Sequence, residues 1–292
     1  MMKIIAAVNN KGGVGKTKIS EIISEYLSKY KHKRVLAIDC DPQCNFSHRY
    51  LKMDIDPIAP EGTIPPLHPD YDPTEQGSDN WDGRSSIADI FFDQSIIPYP
   101  TYIKNLDIAP GRAERLLAAE AVRKAEVAEK IHRRLREFLY GADICEAYDV
   151  VVIDTAPSKG PLTVSVIKSA TDIVIPSVME AQPIQGVYGM LQLWMQESLS
   201  RNNDNKLNLV GILPNMFKHT TLHEDMLNSL MENKSIGKYV LPVKLGHRIS
   251  FAEVDTEGAS PRSIFDLPDS TAAKQEALEV CECITKRIFS HE

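Results

Sequence analysis

Apolar residues fall into two kinds of run along the chain. Short stretches such as KIIAAV, LDIA, VVVID and DIVI are apolar on consecutive positions and rich in β-branched residues. That pattern suits a parallel strand covered by helices on both faces. It predicts strands at Lys3–Val8, Arg34–Ile38, Leu106–Ala109, Asp149–Ile153, Asp172–Ile175, Asn208–Leu213 and Lys238–Leu241. Longer stretches repeat apolar positions at helical spacing and predict helices at Lys16–Tyr30, Arg112–Tyr140, Pro161–Ser169, Gln185–Ser200, Leu222–Glu232 and Thr271–Ser290. In Arg112–Tyr140 the repeat runs through Leu116, Val122, Val127, Ile131, Leu135 and Phe138. Strand–helix alternation of this kind predicts an α/β fold, a doubly wound and mostly parallel sheet with helices on both faces.

Residues 54–85 interrupt the alternation. They hold six prolines, eight acidic residues and one base, Arg84. The segment is expected to be a long loop inserted at the surface of one domain spanning residues 1–292, outside its core. It also changes the reading of charge. The chain is formally −7, yet this segment alone accounts for −7, leaving 32 basic and 32 acidic residues elsewhere. An acidic total therefore does not exclude a basic face. No apolar run approaches the ~20 residues of a membrane span. The five cysteines show no framework spacing, which suits reduced thiols in a cytoplasm.

The candidate chemistry starts at Lys11-Gly12-Gly13-Val14-Gly15-Lys16-Thr17, between the first strand and the first helix. Strand, glycine-rich loop, Lys-Thr and helix make a phosphate-binding loop of P-loop NTPase type. Glycines let backbone N–H groups curl around phosphate oxygens, and the helix N-terminus adds positive potential. Lys16 is expected on the β- and γ-phosphates and the Thr17 hydroxyl on Mg²⁺. The strict pattern asks for glycine at position 10, where this chain has Asn10. Three aspartates end predicted strands: Asp39 and Asp41 in VLAIDCDPQCN, and Asp154 in VVVIDTAPS. Ligands of parallel sheets gather at those strand ends, so the aspartates are expected to hold Mg²⁺ or position an attacking water.

KGGVGKT, DCDPQ-x-N and VVIDTAP together resemble the ParA/MinD group of deviant Walker ATPases, with the nearest likeness to ParA- and Soj-like partition proteins. NLDIAPGRAERL, ILPNMFKHTTLHEDML and ISFAEVDTEGASPRSIFDLPDSTAAKQ extend that likeness over most of the chain. The resemblance implies ATP/ADP and Mg²⁺ as cofactors. It makes Lys11 the signature lysine, which in relatives crosses an ATP-dependent sandwich dimer to phosphates held by the other subunit. It implies that Asp41 positions the water, Asp154 is the outer Mg²⁺ ligand, Asp39 supports the metal side, and Asn215 reads the adenine edge. The departures are Lys18, where relatives usually carry Thr at a position near the α-phosphate, and Cys44, which replaces a common Gly. The chain begins at the first strand, so no helix-turn-helix reading of a specific operator is expected.

The expected function is a DNA-partition ATPase, cytoplasmic and nucleoid-associated. Its ATP dimer binds duplex DNA without sequence preference, and a ParB-like centromere-binding adaptor triggers hydrolysis and release. Candidate DNA contacts are Lys218, Lys234, Lys238, Lys244 and Arg248. The alternatives are a MinD-like membrane-positioning ATPase and a cargo-positioning ATPase that uses the nucleoid. A MinD-like end would be a basic amphipathic helix. Here Leu278, Cys281, Ile284 and Ile288 share a stripe, but the polar face mixes both signs, which suits a core-packed helix and no membrane contact. Electron transfer through a shared iron–sulfur cluster needs paired cysteines on loops. Cys145 stands alone in mid-chain, and Cys281 and Cys283 fall in a predicted helix.

Overall fold

The computed structural model describes residues 2–59, 62–74, 81–202, 205–256 and 258–290. The main sheet takes β1 (Lys3–Ala7), β2 (Val35–Cys40), β5 (Tyr99–Pro100), β6 (Leu106–Ala109), β7 (Val150–Thr155), β8 (Asp172–Ser177) and β9 (Asn208–Pro214). A separate two-stranded hairpin pairs β3 (Asp54–Ile55) with β4 (Thr63–Ile64). The sheet order is β5-β6-β2-β7-β1-β8-β9, parallel throughout except at β5.

Successive strand residues point to opposite faces, and each face has its own core. Leu36, Ile38, Val151, Ile153, Ile173 and Ile175 pack beneath α3 (Ala113–Glu120), α4 (Ala125–Leu139), α6 (Pro161–Ser169) and α7 (Ala181–Ser200). Val35, Ala37, Val150, Val152 and Val174 pack beneath α1 (Lys16–Lys31), α2 (Asn45–Tyr50) and α10 (Ala272–Phe289). The remaining helices are α5 (Ala142–Ala147), α8 (Thr221–Glu232) and α9 (Ile249–Asp255). Each fully buried aliphatic side chain contributes about 1.5–3 kcal/mol, so the two-sided burial is the main source of stability. The last helix is core-packed as expected, with Ala277, Val280, Cys281 and Ile284 fully buried. Among the described residues no helix is long and apolar enough to cross a membrane.

Three sequence expectations change. The helix expected over Arg112–Tyr140 is two helices, because α3 stops at Glu120. The Glu120 carboxylate turns to accept from Ser158 Oγ and the Leu162 N–H, and the Arg123 guanidinium donates to the freed carbonyls of Glu120 and Val122. The strand expected at Lys238–Leu241 is a short 3₁₀ turn, Gly237–Tyr239, with one bridge from Val240 to Ile212.

The third change concerns residues 54–85. Positions 60–61 and 75–80 lie outside the described residues, but the rest is anchored to the fold. Ile64, Asp56, His68 and Ser85 are buried. The His68 ring lies 4.6 Å from that of Tyr99, whose hydroxyl donates to the Pro66 carbonyl and accepts from the Ser85 N–H. Aromatic packing against the edge strand thus outweighs the proline-rich, acidic composition.

Candidate nucleotide site

The carboxyl ends of β1, β2 and β7 meet at one point, since Asp39 pairs with Asp154 across β2 and β7, and Ala7 pairs with Asp154 across β1 and β7. The glycine-rich loop leaves β1 directly above them. Gly13 and Gly15 have φ of 70° and 81°, a region that favours glycine. A Cβ on Gly15 would stand 2.3 Å from Asn215 Nδ2, so only glycine fits beside that side chain.

Asn215 is buried, and its amide donates to the Val14 carbonyl at 2.7 Å. It therefore braces the loop from the end of β9, a role distinct from the adenine contact expected of it. Asn9, which sequence reasoning passed over, braces the other side. Its Nδ2 donates to the Pro176 carbonyl at 2.9 Å, and its Oδ1 accepts from the Lys11 N–H at 3.0 Å. An Asn between a strand and a glycine turn was the available signal.

Lys16 is buried and donates to the Lys11 carbonyl at 3.1 Å. Burial lowers its pKa, while Asp154 and then Asp41 act to raise it. The ammonium thus sits between two carboxylates at the mouth of the loop. Thr17 Oγ1 donates to Asp154 Oδ2 at 2.6 Å, and Ser20 Oγ lies 3.4 Å from Asp154 Oδ1. Asp154 is fully buried, and burial, followed by the Asp39 charge, pushes its pKa well up. Burial raises Asp39 to about 6. A threonine hydroxyl beside a buried carboxylate at the strand end is a set of hard oxygen ligands that fits a divalent cation.

Asp39 was expected on the metal side. Its oxygens accept from the Ser47 N–H and Oγ at 2.8 and 2.7 Å and from the Asp41 N–H at 3.1 Å. Those bonds frame the turn that presents Asp41. Ser47, absent from the sequence reading, also accepts from the Gly111 N–H at 2.9 Å and so ties this turn to the start of α3. Asp41 keeps one oxygen on the Gln43 N–H at 2.9 Å.

Lys18 lies in the first turn of α1 with its side chain drawn into ion pairs. Its ammonium pairs with Glu21 and, at 2.6 Å, with Asp255 at the end of α9. Arg49 from α2 joins the same buried cluster, 3.0 Å from Glu25 and 3.6 Å from Glu21. The α-phosphate contact considered for this position is replaced by an ion-pair network joining α1, α2 and α9. Gly12, Gly13 and Lys11 remain at the surface of the loop, and Val14 is buried beneath it.

The candidate DNA contacts do not form a comparable constellation. Lys218, Lys234 and Lys238 are exposed. The Lys244 ammonium lies 4.0 Å from the Phe217 ring centroid, and Arg248 pairs with Glu276 at 2.6 Å.

Comparisons with known proteins agree with this architecture. The family model described as "AAA domain" matches residues 2–209. Soj, the sporulation initiation inhibitor protein of Bacillus subtilis, is 30% identical over 224 residues, covering 76% of this chain and 75% of that protein. Soj of Thermus thermophilus, named a chromosome-partitioning ATPase, is 28% identical over 263 residues, covering 87% of this chain and 85% of the relative. Two longer rhizobial relatives are spanned over only 57% and 51% of their lengths. A plasmid partition protein of Borrelia burgdorferi has the same fold, with a TM-score of 0.67 and 20% identity, covering 99% of this chain and 100% of the other.

Proposed function

The chain belongs to the ParA/MinD-type P-loop ATPases, and on that premise we propose that it is a partition ATPase acting as one ATPase domain. In this reading it binds Mg·ATP, forms an ATP-dependent sandwich dimer, binds duplex DNA non-specifically and releases it when a ParB-like adaptor stimulates hydrolysis. The observation that carries the nucleotide half is the buried Lys16 ammonium, held at the mouth of the glycine loop between Asp41 and Asp154.

The nucleotide's polyphosphate replaces the Lys11 carbonyl as the partner of Lys16, and the loop N–H groups take its oxygens. Thr17 and Asp154 are the residues that would hold Mg²⁺, which neutralises charge on the β- and γ-oxygens. Asp41 orients the attacking water, and its backbone is steadied by Asp39. Lys11 supplies positive charge to phosphates on a second subunit, the same electrostatic logic as an arginine finger. Exposed lysines of the 218–248 segment, doubled by two-fold symmetry, make a phosphate-binding edge. A nucleoid-associated location follows from that activity.

The test is an anisotropy titration of duplex DNA with ATP, with ADP and without nucleotide, at two salt concentrations. Binding that requires ATP and weakens steeply with salt is the expected result. Equal binding in all nucleotide states removes the switch. ATP-dependent attachment to anionic liposomes without DNA binding favours the MinD-like alternative.

A further inference from the structure

Lys159 stands in the loop after Asp154, and no role has been assigned to it. Three observations bear on it. First, the loop is held. Leu162 N–H donates to Glu120 Oε2 at 3.1 Å, Gly160 N–H donates to Ser158 Oγ at 3.1 Å, and Pro161 opens α6. Second, the ammonium of Lys159 lies over Gly189 of α7. A Cβ on Gly189 would meet Lys159 Nζ at 2.6 Å and Asn10 Nδ2 at 3.6 Å. Third, one turn earlier on the same face, a Cβ on Gly186 would meet Asn9 Oδ1 at 2.3 Å, Asn10 Oδ1 at 2.8 Å and Lys11 Cγ at 2.8 Å. Three residues of helix rise about 4.5 Å, so the stem of Lys11 and the ammonium of Lys159 are neighbours on one glycine seat.

Among the described residues neither Lys11 nor Lys159 has a carboxylate partner, and Lys159 is exposed. Lys18, Lys29, Lys130, Lys168 and Lys274 pair with carboxylates, whereas Lys11 and Lys159 bring two like charges to one region of the surface. An unpaired couple, packed closely over Gly186 and Gly189, is organised for an anion from outside the chain. The anion in reach is not the nucleotide of the same chain alone, since Lys16 already occupies the mouth of that loop.

We propose that Lys159 is a second trans-acting cation, which joins Lys11 in binding the polyphosphate of a nucleoside triphosphate held by a second copy of this chain. The proposal rests on the sandwich dimer of the preceding section. Both ammonium groups then arrive together when two copies close, and both are lost together when they part.

The experiment uses the full chain with Lys159→Gln and Lys159→Arg. With Lys159→Gln, ADP affinity by calorimetry stays within about twofold of the unmodified chain. The ATP-dependent dimer, read by sedimentation, weakens about tenfold or more, as expected for loss of a charge-assisted contact. Lys159→Arg restores most of it. Mixing then decides between the two subunits. Lys159→Gln and Asp41→Ala chains are each slow alone, but in a mixed dimer the Lys159→Gln site receives Lys159 from the other chain. Hydrolysis several-fold above the sum of the two separate rates is expected. No gain on mixing, or a dimer unchanged by Lys159→Gln, overturns the proposal while leaving the ATPase reading intact. An unmodified chain that does not dimerise with ATP overturns the dimer reading and this inference with it.

Discussion

Two basic regions of this molecule behave in opposite ways. At the strand ends, Lys16 is buried, hydrogen-bonded and close to two carboxylates, Asp154 at the end of β7 and Asp41 in the turn after β2. Along the 218–248 edge the cations are exposed, with Lys244 on an aromatic face and Arg248 on Glu276. The first region has one geometry imposed by the backbone; the second has charge without a common target. A phosphate held at one point needs converging donors, whereas a DNA backbone needs only cations aimed outward, so a single chain shows the former site far more completely than the latter. The two regions are also joined. Arg248 precedes α9, and Asp255 at its other end pairs with Lys18 on the phosphate-loop helix.

The comparison breaks most visibly at Lys16. Lys16→Ala is expected to weaken ATP binding by at least about a hundredfold in calorimetry, because a charge-assisted contact to phosphate has no substitute in the loop. Wild-type affinity in that variant would place the phosphate elsewhere. Asp41→Ala should keep nucleotide binding and lower turnover roughly a hundredfold or more, since it removes only the group that orients water. Unchanged hydrolysis reassigns that role.

The joint between the regions comes next. Arg49→Ala leaves Glu21 and Glu25 buried without their guanidinium, which costs roughly 3–5 kcal/mol. A melting temperature within a degree of the unmodified protein would show that α1, α2 and α9 are not coupled through it. Asn215→Ala should cost about 1–3 kcal/mol, read as weaker ATP binding, because the Val14 carbonyl loses a buried donor. The smallest effect belongs to the edge. Charge reversal at Lys244 and Arg248 should weaken DNA binding equally for all sequences and flatten its salt dependence, with the ATP dimer unchanged.

The acidic insertion shows where reading composition misleads. Its prolines and charges argue for a loop whose removal leaves activity intact. In the fold, His68 packs on Tyr99, and Gly62 sits beside Ala113 at the start of α3. Deleting residues 56–83 should therefore lower stability. Trp81, 5.8 Å from His68 and 5.4 Å from Tyr71, belongs to the same anchor, which no short-range pattern announces. By contrast, Asp39 and Asp154 were legible as strand-end carboxylates, and the sheet sets them side by side, but only their hydrogen-bond partners separate the residue beside Thr17 from the one that frames a turn.

The sequence by itself determined the alternation of strands and helices, the phosphate loop and the three strand-end aspartates. Each of those rests on local spacing: consecutive apolar positions, glycines before Lys-Thr, a carboxylate ending an apolar run. Tertiary structure decided what those residues touch. It turned Lys18 from the phosphates to Glu21 and Asp255, set Asn215 beneath the loop, and seated Lys11 and Lys159 on two glycines of α7. The physical reason is range. Backbone preference and hydrophobic period act within a few residues, whereas charge pairing and steric fit join side chains far apart in sequence, as Lys18 with Asp255, 237 positions on.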